Sequence, residues 1–300
     1  MADRAAHPTT PRRMWQVFEP IHAVTYFAPE PVERLRDLGY RGYWMGYFAS
    51  RSAPFGEASP QLVTATFFNF RPSMVHRALP DAWGYASPEA ALAARLDGTL
   101  AALRRALGDA AVGPDVAEAA EVAEAAADAC PPGGRPLFAA LSAVAPPGDP
   151  LGRLWHAATR LREHRGDGHI VANLAHGVDG LGAHVMFAAT APVDRAPGWP
   201  GSVRAILQGA RKWTDDEWEA AAAELTGRGW LTADGAITDV GRAARQAIED
   251  LTDDLAAGPW ESIGAEATGR LRQLLAPLAQ RIVADGDVPV LSPAGDLTDG

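Results

Sequence analysis

The sequence predicts a mainly α-helical protein built as two helical halves, with a single short β-hairpin in the C-terminal half. Three observations carry this expectation. Apolar residues recur at helical spacing over most of the chain, as in the stripe Leu151, Leu154, Trp155, Ala158 and Leu161. Ser, Thr and Pro at segment starts alternate with Gly at segment ends, which is how helices are punctuated. Only "WLTADGAIT" (230–238) reads as strand, tight turn and strand, with Asp234-Gly235 at the turn.

In chain order, residues 1–11 show no apolar pattern and read as disordered. "RRMWQVFEPIHAVTYF" (12–27) is a helix in which Pro20 should kink or break the rod. "PEPVERLRDLG" (29–39) opens on prolines and stops at Gly39, as a short helix should. "RGYWMGYFASRSAPFG" (41–56) is a third helix running into a loop. "QLVTATFFNF" (61–70) fits a strand or a buried helix, because its Val, Thr and Phe favour the first and its length allows the second. "RPSMVHRALPDAW" is a short helix and turn, and "SPEAALAARLDGTLAALRRALG" (87–108) is a long helix capped by Ser87. "PDVAEAAEVAEAAADAC" (114–130) is an alanine-rich acidic helix, and "PPGG" then breaks the chain.

Residues 131–150 read as a linker between a domain over 1–130 and a second over 151–286, with 287–300 a disordered tail. In the second half, Gly166 and Gly168 should interrupt the helix that begins near Asp149. Two short helices with a glycine turn follow over "HIVANLAHGVD" and "GLGAHVMFAAT", then a loop over "APVDRAPGWPGS". "WTDDEWEAAAAELTGRGW" starts with a capping box, Thr214 and Glu217. The hairpin, a helix over 238–260 capped by Thr238, and a last helix over 266–286 carrying Pro277 complete the chain.

Composition narrows the function classes. One cysteine, Cys130, allows neither an internal disulfide nor a cysteine-based zinc cluster. No apolar run is long enough for a membrane span, and the N-terminus has no apolar signal core, so a cytoplasmic protein without membrane partners is expected. Net charge is −10 but unevenly placed: +2 over 1–110, −5 over 111–150, +4 over 151–212 and −11 over 213–300. No P-loop, Gly-x-Ser-x-Gly elbow or strand-borne Gly-x-Gly-x-x-Gly is present, so no cofactor is indicated.

The order helix, glycine, hairpin, long helix over 217–255 outlines a winged helix. Leu225, Gly229, Trp230 and Leu231, followed by Thr238, Gly241 and Arg242, resemble the second half of a MarR-type domain. "FEPIHAVTYFAPE", "GYWMGYFASRSAPFG", "RALPDAW" and "LWHAATRLREHRGDGH" resemble an actinobacterial family of helix-turn-helix-related proteins. The first resemblance implies a MarR-like winged helix in the C-terminal half, and the second implies fold rather than activity. The charges oppose DNA reading. The helix in the recognition position, 214–227, carries Asp215, Asp216, Glu217, Glu219 and Glu224 and no basic residue, and the wing tip "TADGA" adds another acid. A duplex carries about one negative charge per ~1.7 Å and needs arginine or lysine against it. The wing arginine typical of DNA-binding MarR-type proteins is also missing. Only the positive stretch 151–212 could supply a duplex-binding face.

The densest polar stretch, "LREHRGDGHI" (161–170), is the first candidate site. A Gly-Asp-Gly turn would fold Asp167 and His169 back beside His164. His164 or His169 could then act as general base with Asp167 as its orienter, and Arg162 and Arg165 could clamp an anion. The same His, Asp and His could instead form a metal triad, although that spacing alone is a weak metal signal and no metal is assigned. The plain alternative is that these groups cap carbonyls and bridge helices. The second candidate is the aromatic N-terminal half, where His22, Tyr26, Trp44, Tyr47 and Arg51 could line a ligand pocket or simply belong to an aromatic core. The expected function is small-molecule binding at the junction of the halves, with or without catalysis, on a scaffold that does not read DNA. The alternative is a ligand-responsive MarR-type regulator acting on DNA as a homodimer.

Overall fold

The computed structural model describes residues 9–190 and 202–289, together with a two-residue antiparallel pair, Leu291–Ser292 with Gly295–Asp296. Fourteen α-helices occur among the described residues. They are α1 (Thr10–Phe27), α2 (Pro29–Asp37), α3 (Tyr43–Ser52), α4 (Pro60–Thr66), α5 (Pro72–Ala78), α6 (Pro88–Leu107), α7 (Pro114–Asp128), α8 (Pro136–Ser142), α9 (Pro150–Ala175), α10 (Gly180–Thr190), α11 (Val203–Arg211), α12 (Asp215–Gly227), α13 (Asp239–Leu255) and α14 (Gly258–Asp285).

Local chemistry sets most helix starts. Helices α2 and α4 to α9 each open on proline, which has no N–H to leave unpaired in the first turn. The side chains of Ser59, Ser87, Asp149 and Thr238 each accept from a backbone N–H of the first turn. The capping box of Thr214 and Glu217 forms as expected. The ambiguous 61–70 stretch is helical over α4, and α1 continues through Pro20 without ending there.

Three apolar clusters form the interior. The first draws on α1, α6, α7, the N-terminal part of α9 and α14, so it takes residues from both sides of the 131–150 segment. That segment itself contains α8. The second cluster holds the aromatic residues of α3 to α5 together with Leu137 and Leu141 of α8. The third gathers Ala172 at the end of α9 with Val185, Leu207, Trp218, Leu231, Ile237 and Ile248, and is the core of the helix-turn-helix portion.

Helix α9 threads all of this. Its 26 residues give a rod of about 39 Å at 1.5 Å per residue. Its start is buried in the first cluster and its end in the third, leaving residues 162–169 between them. The expected break at Gly166 and Gly168 therefore does not occur, and "HIVANLA" is the end of α9 rather than a separate helix. Packing explains why. A Cβ on Gly168 would lie 1.9 Å from Arg135 Nη1, so the missing side chain lets that guanidinium lie against the helix. Arg135 then donates to the His164 carbonyl at 2.8 Å and the Leu255 carbonyl at 3.0 Å. These bonds help offset the ~1 kcal/mol that each mid-helix glycine costs.

Three other expectations are corrected. The hairpin is reduced to one isolated bridge, Leu231 with Ile237, and no strand forms there. Both bridge residues are buried in the third cluster, and two cross-turn backbone bonds, Thr232 N–H to the Ala236 carbonyl at 2.8 Å and Thr238 N–H to the Trp230 carbonyl at 3.0 Å, hold the turn with them. The 238–260 helix ends at Leu255, and α14 starts at Gly258 with a kink at Gly264, whose φ is +81°. Residues 203–211, unassigned from sequence, form α11. Residues 1–8, residues 191–201 of the expected loop, and 290, 293–294 and 297–300 of the expected disordered tail lie outside the described residues, while the tail's Leu291–Ser292 and Gly295–Asp296 pair as short strands where disorder was expected. No described helix is long and apolar enough to cross a membrane.

Candidate functional site

A cavity of about 360 Å³ opens where the three clusters meet. One side is built by Arg12 and Trp15 of α1, Tyr47 and Arg51 of α3, and the segment from Thr66 to Phe70. The middle of α9 supplies the next side through Arg162, Glu163, Arg165, Gly166, Asp167 and His169. The helix-turn-helix portion closes it with His184 and Phe187 of α10, Arg211 of α11, and Arg245, Glu249 and Thr252 of α13.

Glu163 is the electrostatic hub. Its carboxylate is 2 % exposed and receives a two-pronged contact from Arg51, with Nε to Oε1 at 3.1 Å and Nη2 to Oε2 at 2.9 Å. Arg162 Nη1 donates to Oε2 at 2.8 Å. Burial opposes ionisation of Glu163, but Arg162 and Arg51 outweigh it and hold the carboxyl well below the usual range. Arg51 also donates to the Tyr47 hydroxyl at 2.9 Å and lies 4.3 Å from the Phe67 ring centre. Arg162 approaches Glu19 at 3.5 Å, and Glu19 accepts from the Trp15 indole at 3.1 Å. On the next turn Arg165 pairs with buried Asp253 at 2.7 Å, and Arg12 reaches the same carboxylate at 3.2 Å.

The residues singled out in 161–170 do not converge on one another. His164 does not line the cavity; its ring packs edge-on against Phe138, and burial takes it down to about 4. Asp167 does line it, but its Oδ2 accepts the Leu137 and Phe138 amides, both at 3.1 Å, at the start of α8. Burial pushes Asp167 up to about 7 against those amides. His169 is paired with the Thr252 hydroxyl at 2.9 Å, and burial lowers it. No His–Asp base pair forms: Asp167 is taken by the two α8 amides, the His164 ring packs on Phe138, and His169, five residues beyond His164 on a continuous helix, leaves on a different face. Among the described residues no group of three or more His, Cys, Asp or Glu side chains could hold a metal ion.

The N-terminal candidates divide. Tyr47 and Arg51 line the cavity. His22 is fully buried against Thr159, 3.0 Å from its hydroxyl, and burial holds the ring neutral. Tyr26 faces a second hollow of about 110 Å³ together with Tyr40, Tyr43 and Tyr47. Trp44 packs edge-on against Phe70 and Tyr47 in the aromatic cluster.

The cavity-lining residues that sequence reasoning missed lie on the opposite wall. Arg211 reaches the cavity from the last residue of α11 and stacks on Phe70 at 3.9 Å. Its Nε is buried, with no hydrogen-bond partner among the described residues. Arg245 lies 5.3 Å from the Phe187 ring centre and donates to the Thr190 hydroxyl at 2.8 Å. His184 is 3 % exposed, and its Nε2 has no hydrogen-bond partner among the described residues. Burial, with Arg211 adding to it, drives His184 down to about 3, so the ring is neutral at physiological pH. In all, six arginines and three carboxylates line the cavity. The sign of the site is positive, and the guanidinium-on-phenyl contacts place flat apolar faces beside the charge.

The exterior of the helix-turn-helix portion has the opposite character. Asp215, Asp216, Glu219 and Glu224 of α12 are exposed, as is Asp234 on the turn between Leu231 and Ile237. The nearest arginines are tied down. Arg204 pairs with Asp215 at 3.2 Å and Glu219 at 2.6 Å, and Arg228 donates to the His176 and Gly177 carbonyls while covering the Trp230 ring. No curated protein and no solved structure matches the chain. Residues 11–289 match the model of a helix-turn-helix family. The α10–α13 core and the near full-length match agree: the chain belongs to that helix-turn-helix family.

Proposed function

We propose that this protein binds a small organic molecule in the cavity between its aromatic front half and its helix-turn-helix portion. In this reading α10, α11 and α13 wall the cavity, and α12 does not read DNA. The observation that carries the reading is the direction in which the arginines of 151–212 face. Among the described residues, Arg153 and Arg160 pair with Glu124 and Asp128, Arg162 and Arg165 with cavity-side carboxylates, and Arg204 with α12, while Arg211 enters the cavity. Arg162, Arg165 and Arg211 are thereby turned toward a space sized for a small ligand, while Arg153, Arg160 and Arg204 are held in ion pairs elsewhere. If the bound molecule is also transformed, Asp167 is the lining acid whose ionisation lies near neutral pH.

Native mass measurement tests this. The protein as purified, or after soaking in a mixed pool of aromatic acids and amides, should carry a mass excess that disappears on denaturation. A bare mass in both cases overturns the reading.

Family membership favours a second reading, a MarR-type regulator in which the cavity ligand alters duplex affinity. It requires phosphate contacts that exposed α12 and its following turn do not offer.

A further inference from the structure

We infer that the cavity ligand is an organic acid whose carboxylate or phosphate docks on Arg211. This rests on the small-molecule reading above and gives it a ligand class. The other arginines on the cavity wall have partners: Arg51 and Arg162 share Glu163, while Arg12 and Arg165 share Asp253. Arg245 is held by the Thr190 hydroxyl. Arg211 alone among these six has no hydrogen bond or ion pair from any described residue, and its Nε is sealed from water.

A guanidinium whose Nε is withdrawn from water without a carboxylate partner is costly, and burial already brings Arg211 down to about 10. An incoming anion would remove that penalty through charge-assisted hydrogen bonds. The Phe70 ring centre lies 3.9 Å from the guanidinium carbon, a stacking contact that holds the group against this wall before any ligand arrives. His184 supplies the second orphaned polar atom on this wall. Its neutral ring cannot compete with Arg211 for the anion, and Nε2 is left to meet another polar group of the ligand. Phe67, Phe70 and Phe187 around the charge suit an apolar or aromatic body.

The test follows the Arg211 Nε–H resonance of the full chain by NMR, assigned by its loss in Arg211→Lys, while benzoate, phenyl phosphate or the neutral benzamide is titrated. Cavity entry is followed separately on the Trp15 indole and the Phe187 ring. Either acid should move the Arg211 signal and bind about tenfold or more tightly than benzamide. Comparison of the two acids decides between carboxylate and phosphate. Arg211→Met should lose about that factor for the acid and leave benzamide within twofold.

Equal binding of benzoate and benzamide, or unchanged acid binding in Arg211→Met, overturns the acid assignment and leaves the cavity reading intact. Failure of every probe to move Trp15 or Phe187 overturns both. If Arg211→Met does not fold, the wild-type titrations still decide.

Discussion

Residues 161–170 and residues 215–224 are both helical and both crowded with charge, yet they have opposite fates. In α9 the charges are buried and each meets a fixed partner: Glu163 meets Arg51 and Arg162, Arg165 meets Asp253, and Asp167 meets two backbone amides. In α12 most carboxylates face solvent, where ion pairs such as Arg204 with Asp215 contribute little. Charge density along a sequence therefore does not distinguish an interior network from a solvated face. What distinguishes them is the origin of the counter-charges. Those of α9 come mainly from elements far away in the chain, while Arg204 is a near neighbour of α12.

The comparison can be broken most decisively at Glu163. Glu163→Ala leaves Arg51 and Arg162 buried with no shared carboxylate, and should destabilise the fold by about 3–5 kcal/mol. Urea denaturation checks it, and a loss below ~1 kcal/mol would mean that water already screens the hub.

Asp167 gives the next largest effect, through pH. Its folded value, about 7, lies above the ordinary carboxylate value, so the folded state holds the proton more tightly. Its contribution to stability is thus fully present below about pH 4 and is lost as pH rises toward 7, by an amount on the order of 2–4 kcal/mol. Asp167→Asn should flatten that decline, matching the parent below about pH 4 and exceeding it at pH 8 in urea midpoint. Parallel pH profiles for the two proteins would show that Asp167 ionises normally.

The two mid-helix glycines of α9, Gly166 and Gly168, should separate in sign. Gly168→Ala displaces Arg135 from the His164 and Leu255 carbonyls and should cost about 1–3 kcal/mol. A Cβ at Gly166 meets nothing closer than 3.6 Å, so Gly166→Ala should stabilise by roughly 0.5–1 kcal/mol through helix propensity. Thermal unfolding of the pair reads this directly. The smallest effect belongs to α12, where Glu224→Ala should change stability by no more than about 0.5 kcal/mol.

Much of the helical frame was legible because its signals are local. Ser87, Thr214 and Thr238 announce their caps within three residues, and proline opens helix after helix. The continuity of α9 was not legible. Gly168 looks like a breaker until Arg135, 33 positions earlier, is seen to need the space. The polar stretch 161–170 did point to the cavity, since Arg162, Arg165, Asp167 and His169 line it. The Gly-Asp-Gly turn expected to bring His164, Asp167 and His169 together does not form, because a continuous helix replaces it. Arg211 and His184 carry no pattern of their own. They become notable only when α10 and α11 are brought against Phe70 and Asn69, more than a hundred residues away in the chain.

The most direct test of the inward-facing charge is fluorescence anisotropy of a short random-sequence duplex titrated with the full chain at low salt. Proteins that dock on the phosphate backbone bind such a duplex non-specifically, with dissociation constants of about 10⁻⁶–10⁻⁴ M even at physiological salt. The account predicts no rise in anisotropy across that range. Saturable binding that weakens linearly with the logarithm of salt concentration would contradict it, and would return the helix-turn-helix portion to DNA.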